Sequence, residues 1–236
     1  MVHIKEILKN FIPNFYKKIS EKGFNSKSFL SVIGTFVLIL GILFLFSASP
    51  DMKETLNVGL NNKLIYLSYG GICVTLIGLL LFREKKLQKF VVVILYFTCI
   101  LMIYIVMAIC ALMTYNPVTN LEIGIVGSNL LWIVGVIVNV ILVWKSVETS
   151  NFKIRDKYAN CFMNGISIAG IILFLLSEII NDFTYAYTGV VFLVAMVQIL
   201  ATFHFPRIVR YWKKESTKNT NISVYGDSIK MMKNNK

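Results

Sequence analysis

The chain has 236 residues, 56% of them hydrophobic and 15% charged, and carries a net charge of +12. Soluble domains are about 45–50% apolar and about 25% charged, so this composition excludes an ordinary water-soluble fold and points to an integral membrane protein. The four cysteines, Cys73, Cys99, Cys110 and Cys161, form no C-x-x-C pair. They give no ground for a disulfide framework, a zinc site, or any other metal or cofactor, and read as small apolar packing residues.

Residues 1–28 form a basic leader. Its apolar residues Ile4, Ile7, Leu8, Phe11, Ile12, Phe15, Tyr16 and Ile19 recur at helical spacing, with Lys5, Lys9, Lys17 and Lys18 mostly off the stripe. Such a stripe predicts an amphipathic helix lying in the interface, its lysines toward anionic lipid. The same face also suits docking into a protein groove. Pro13 lacks an amide hydrogen and should kink the helix.

Six apolar segments follow, at about 29–48, 64–82, 90–115, 121–144, 161–180 and 183–205. A helix needs about 20 such residues to cross a hydrocarbon core of about 30 Å. Backbone amides left unpaired in lipid are costly, so these runs should be helices. The expected fold is therefore an all-α, six-transmembrane-helix bundle spanning residues 29–205, with a basic, disordered tail over 206–236. The first span resembles a signal peptide only loosely, because Pro50 follows the small residues Ser47, Ala48 and Ser49; the span should be retained.

The loops alternate in charge. From leader to tail, Lys and Arg number 6, 2, 4, 0, 4, 0 and 8, which places 22 on one face and 2 on the other. Loops rich in Lys and Arg stay cytoplasmic, so both termini are expected inside and the protein in the cell membrane. The basic balance is thus topology, with anionic lipid at the cytoplasmic face as its partner. No basic stripe carries interleaved aromatics, so nucleic acid is not expected. Trp144, Tyr211 and Trp212 fall at inner span ends, and Tyr115, Tyr185 and Tyr187 at outer ends, the usual place for interfacial aromatics.

Helices in lipid associate through small residues and a few hydrogen bonds. Gly124, Ser128, Gly135 and Asn139 lie along one face of the fourth span, and Gly71, Thr75 and Gly78 along one face of the second. These are candidate packing seams, with Gly34 and Gly41 a weaker one in the first span. The third span holds little that is small, and its sequence predicts the most lipid-exposed position. Asn139 and Gln198 are candidate intramembrane binding residues, which a substrate path would need to use.

No Asp, Glu, Lys or Arg occupies the centre of a span. Such residues mark proton relays and ion-coupled transport, so their absence argues against a pump. Glu178 and Asp182, four apart, look like a buried acidic pair. On the expected topology they join Glu122 as an outer acidic rim, a candidate site for an external cation. The stretch "GISIAG" at 165–170 loosely resembles a serine-nucleophile turn, for which His204 is the only base within reach. It lacks the strand-turn-helix context of that motif.

The sequence therefore predicts a non-enzymatic multi-pass protein, either an accessory subunit of a membrane complex or an immunity-type protein. A membrane-protein partner or a second copy is its natural contact. The alternative is a small transporter or channel for a neutral or cationic solute, and a remote one is an intramembrane serine hydrolase.

Overall fold

The computed structural model describes residues 6, 7, 9–14, 16, 17, 23–48 and 57–212; the tail beyond 212 and the loop acids Asp51 and Glu54 lie outside them. The described residues are all-helical. Six helices are long and apolar enough to cross a membrane: α1 Ser26–Ala48, α2 Val58–Leu81, α3 Gln88–Leu112, α4 Pro117–Thr149, α5 Phe152–Ile180 and α6 Phe183–His204. A short α7, Pro206–Trp212, continues α6. This is the architecture of a multi-pass membrane protein.

The helices run further than the apolar segments. At 1.5 Å per residue the 33-residue α4 is about 50 Å long, well beyond a hydrocarbon core of about 30 Å. Hydropathy ends at the first charges, but the helix continues through Lys145 and Glu148 until Ser150, whose φ of 53° closes it. Likewise α5 begins nine residues before its apolar run and carries Arg155 and Asp156 into the bundle.

The two tight connections use one device. Ser150 and Asn181 adopt left-handed backbone and end α4 and α5. The next residue then caps the following helix: Asn151 Oδ1 accepts from the Ile154 amide, and Asp182 Oδ1 accepts from the Thr184 amide at 2.9 Å.

Packing divides the bundle into two three-helix groups, α1–α3 and α4–α6, joined where α3 meets α4 and α6. In the first group Phe29, Phe36, Ile39 and Leu43 are buried on α1. The Phe36 ring lies on Gly71 and the Phe29 ring against Gly78, so a side chain at Gly71 would collide with Phe36. In the second group Tyr187 covers Gly124, and Ile199 and Phe162 cover Gly135. The closest approach is between α5 and α6, where the backbones of Gly170 and Gly189 meet; a Cβ on Gly170 would stand 2.9 Å from the Gly189 carbonyl oxygen.

Three expectations are corrected here. The third span is not the lipid-exposed one: α3 packs against α1, α2, α4, α6 and α7, and buries Ile105, Met107, Ala108, Ala111 and Leu112. Its large side chains fill the wedge between the two groups, a place that demands volume rather than close backbone approach. Gly34 and Gly41 form no seam, because nothing comes within 4 Å of either Cβ position. Tyr187 is no interfacial anchor; it is 4% exposed, and its hydroxyl donates to the Asn120 carbonyl at 2.8 Å.

The described part of the leader touches the bundle. Its apolar Phe11, Ile12 and Tyr16 pack on Met163, Ile166, Ile199 and Phe203 of the bundle, with Tyr16 stacked on Phe203 at 5.4 Å between centroids. These three side chains are half-buried against the ends of α5 and α6. Ile4, Lys5, Leu8, Phe15, Lys18 and Ile19 of the leader fall outside the described residues.

Candidate functional site

The polar chemistry of the bundle gathers in two layers. The layer at the leader end is where the leader docks, and it starts with Pro13. The proline is buried and interrupts the leader helix over residues 11–13, so the carbonyls just before it lose their helical partners. Two bundle side chains take them up. Arg155 Nη1 donates to the Asn10 carbonyl, and Asn139 Nδ2 donates to the Phe11 carbonyl at 2.8 Å.

Arg155 is 1% exposed, and a buried guanidinium needs a counter-charge. Asp156 supplies it, accepting from Arg155 Nε at 2.8 Å and from Nη2. The same carboxylate accepts from the Asn14 amide at 3.3 Å and from Asn14 Nδ2 at 3.0 Å. One ion pair therefore clasps the leader from both sides of its kink. The guanidinium also lies over the Phe152 ring at 5.6 Å. Burial raises the Tyr16 phenol above its ordinary pKa.

The inner layer lies deeper in the membrane. Gln198 Nε2 donates to the Tyr104 hydroxyl, which donates to Asn129 Oδ1 at 3.1 Å. One turn nearer the leader, Trp132 Nε1 donates to Thr202 Oγ1 at 2.9 Å, and the Tyr96 hydroxyl donates to the Ala201 carbonyl at 2.7 Å. These bonds tie α3, α4 and α6 together. Between the layers opens a cavity of about 320 Å³, lined by Phe11, Ile12, Tyr96, Trp132, Thr202 and Phe205.

The structure places the sequence candidates as follows. Asn139 and Gln198 are both buried, one in each layer, and do not bond to each other; Asn139 Oδ1 and Gln198 Oε1 have no hydrogen-bond partner. Ser128 is fully buried, with its hydroxyl turned onto the Ile125 carbonyl of its own helix, and Thr75 is likewise bonded to the Gly71 carbonyl. Glu122 and Glu178 are exposed at the opposite end of the bundle. Asp182 is also exposed there, and hydrogen bonds from Thr184 to its carboxylate hold its pKa below the usual Asp value. Glu178 and Asp182 do not share a helix face, because α5 ends at Ile180 before Asp182 is reached. Among the described residues no three carboxylates, thiols or imidazoles are grouped to hold a metal ion.

Ser167 and His204 each have other neighbours. The Ser167 hydroxyl goes to the Met163 carbonyl at 3.0 Å and to Met196 Sδ, while the His204 ring stands edge-on to Tyr16. His204 Nδ1 is buried without a partner.

Nothing in the sequence around Arg155, Asp156, Tyr104 and Trp132 sets them apart from other loop charges and span aromatics. The "RD" pair counted only as two loop charges, although Pro13 in an otherwise helical leader signalled free carbonyls needing donors. No family model matches the chain, and no curated protein or solved structure matches it.

Proposed function

We propose that this is a cell-membrane protein with both termini in the cytoplasm, that it performs no catalysis, and that it acts through helix and lipid contacts. Its role is that of an accessory subunit of a membrane complex or an immunity-type protein that blocks a membrane-active toxin. The orientation rests on the 22 to 2 partition of basic residues between the two faces.

The observation that supports the role is how the polar side chains are spent. Inside the bundle they bind one another or helix backbone across α3, α4 and α6, as glue does, while no charged residue lies at mid-span. Outside, α1 and α5 present Gly34, Gly41 and Gly165 with open space above them, beside the exposed Leu38, Phe44 and Ile168. Open backbone on a lipid-facing helix is where another helix packs closely. Affinity purification from native membranes in mild detergent should recover a stoichiometric membrane partner or a second copy, and Gly34→Leu should reduce it. A monodisperse single chain with no partner, in wild type and variant alike, refutes the reading.

A transport reading is supported by the 320 Å³ cavity at the leader end, whose walls include Tyr96 and Trp132 and which lies between the Asn139 and Gln198 layers. It predicts solute flux in proteoliposomes that Asn139→Leu changes. Absence of flux for neutral and cationic probes removes it.

A further inference from the structure

A second concavity lies on the lipid-facing side of α2 and α3, away from the leader. Its volume is about 560 Å³, and its walls include Lys63, Tyr66, Gly70, Val74, Thr98 and Leu101. Volumes of about 300–1,000 Å³ are those of ligand sites rather than packing defects. Its depth comes from the glycine pair at 70 and 71: Gly71 is covered by Phe36 on its inner side, and nothing stands within 4 Å of the Cβ position of Gly70.

The groove is polar at one end only. Lys63 is exposed in the second turn of α2, and Tyr66 follows one turn on, 74% exposed. Below them the walls are apolar. The one hydroxyl there, Thr98 Oγ1, is spent on the Ile94 carbonyl at 2.9 Å. From Lys63 to Val74 the groove follows α2 for 11 residues, about 17 Å at 1.5 Å per residue. That is about half of a 30 Å hydrocarbon core, the depth of one leaflet.

We propose that this groove holds one phospholipid of net negative charge, its phosphate on Lys63 and the Tyr66 hydroxyl and one acyl chain laid along Gly70 and Val74. Charge favours this occupant. Among the described residues that line the groove Lys63 is the one charged side chain and no carboxylate stands with it, so an anionic headgroup meets a cation and no like charge. The length favours it too, because a transmembrane helix would need the full thickness, whereas the groove closes at mid-membrane.

The test uses the full chain, delipidated in detergent and reloaded with phosphatidylglycerol or phosphatidylcholine, with bound lipid counted by native mass spectrometry. Wild type should retain one phosphatidylglycerol, and less phosphatidylcholine. Lys63→Gln should weaken phosphatidylglycerol retention by about fivefold, the effect of one lysine charge at a membrane surface. Gly70→Phe adds a ring at a position whose Cβ meets nothing within 4 Å, and should abolish retention while thermal stability holds. Equal retention by wild type and Gly70→Phe overturns the proposal. So does a Gly70→Phe chain that loses a dimer but keeps its lipid, since that outcome would make the groove a helix-docking face. Lipid retention is independent of whether a protein partner is recovered, so this proposal and the proposed function fail separately.

Discussion

Asp156→Ala should release the leader. In the native chain that carboxylate accepts two hydrogen bonds from Asn14 and pairs with Arg155, which is itself 1% exposed. The substitution removes both links to the leader and leaves a buried guanidinium with, among the described residues, the Asn10 carbonyl and the Phe152 ring. A hydrogen bond to a charged group contributes about 1.5–3 kcal/mol, and orphaning a fully buried charge costs about 3–5 kcal/mol. Asp156 is 22% exposed, and the leader undocks before the bundle unfolds, so the effect should be at the lower end, about 2–3 kcal/mol. That corresponds to about 30- to 150-fold more opening.

Amide hydrogen exchange reads the opening directly. The Tyr16 and Lys17 amides are the reporters, because both donate to the Pro13 carbonyl, at 3.0 and 3.1 Å, just beyond the kink. Arg155→Met is the matched control. It removes the charge that needs compensation, while a partly exposed Asp156 keeps its bonds to Asn14, so exchange should rise by less than about tenfold. Exchange at Tyr16 and Lys17 within threefold of wild type in Asp156→Ala, or a larger effect from Arg155→Met, would refute the clasp.

Four further outcomes are expected. Gly189→Ala drives a methyl into the Gly170 carbonyl and should cost about 1–3 kcal/mol in detergent unfolding, whereas Gly34→Ala, in open space, should be neutral or stabilise by up to about 1 kcal/mol. Tyr187→Phe loses the bond to the Asn120 carbonyl and should cost about 0.5–1.5 kcal/mol by the same measurement. The Asp182 carboxyl, held down by Thr184, should titrate below the ordinary Asp value by carbon NMR; its cap is intact above the unfolded-state pKa and is lost as pH falls through the lowered one, so a midpoint at or above the ordinary value contradicts the cap. For the orientation, a membrane-impermeant maleimide added to intact cells should label Glu122→Cys but not Lys85→Cys in a chain otherwise free of cysteine; the reverse pattern inverts the proposed topology.

Much of the bundle was legible because lipid is a simple solvent. It forces every apolar run of sufficient length into a helix, so counting such runs in the sequence counts the helices. The helix ends were less legible. Charged turns such as Phe152–Asn160 continue a helix as readily as apolar ones, since the backbone closes its own bonds in water too. The site was scarcely legible at all: Asn139 and Gln198 stood out as polar residues in apolar runs, but Arg155 looked like every other loop cation.

The sequence by itself determined the class of protein, the number of spans and the partition of charge, because each follows from hydropathy and loop composition taken one segment at a time. Only the tertiary structure decided which helix sits in the middle, where Tyr187 points, and that the leader rests on the bundle. Those depend on volumes from distant segments meeting in one place. Pro13 frees a carbonyl near the start of the chain and Arg155 answers it from the fifth helix, 145 residues away along the chain from Asn10. No local pattern records that pairing.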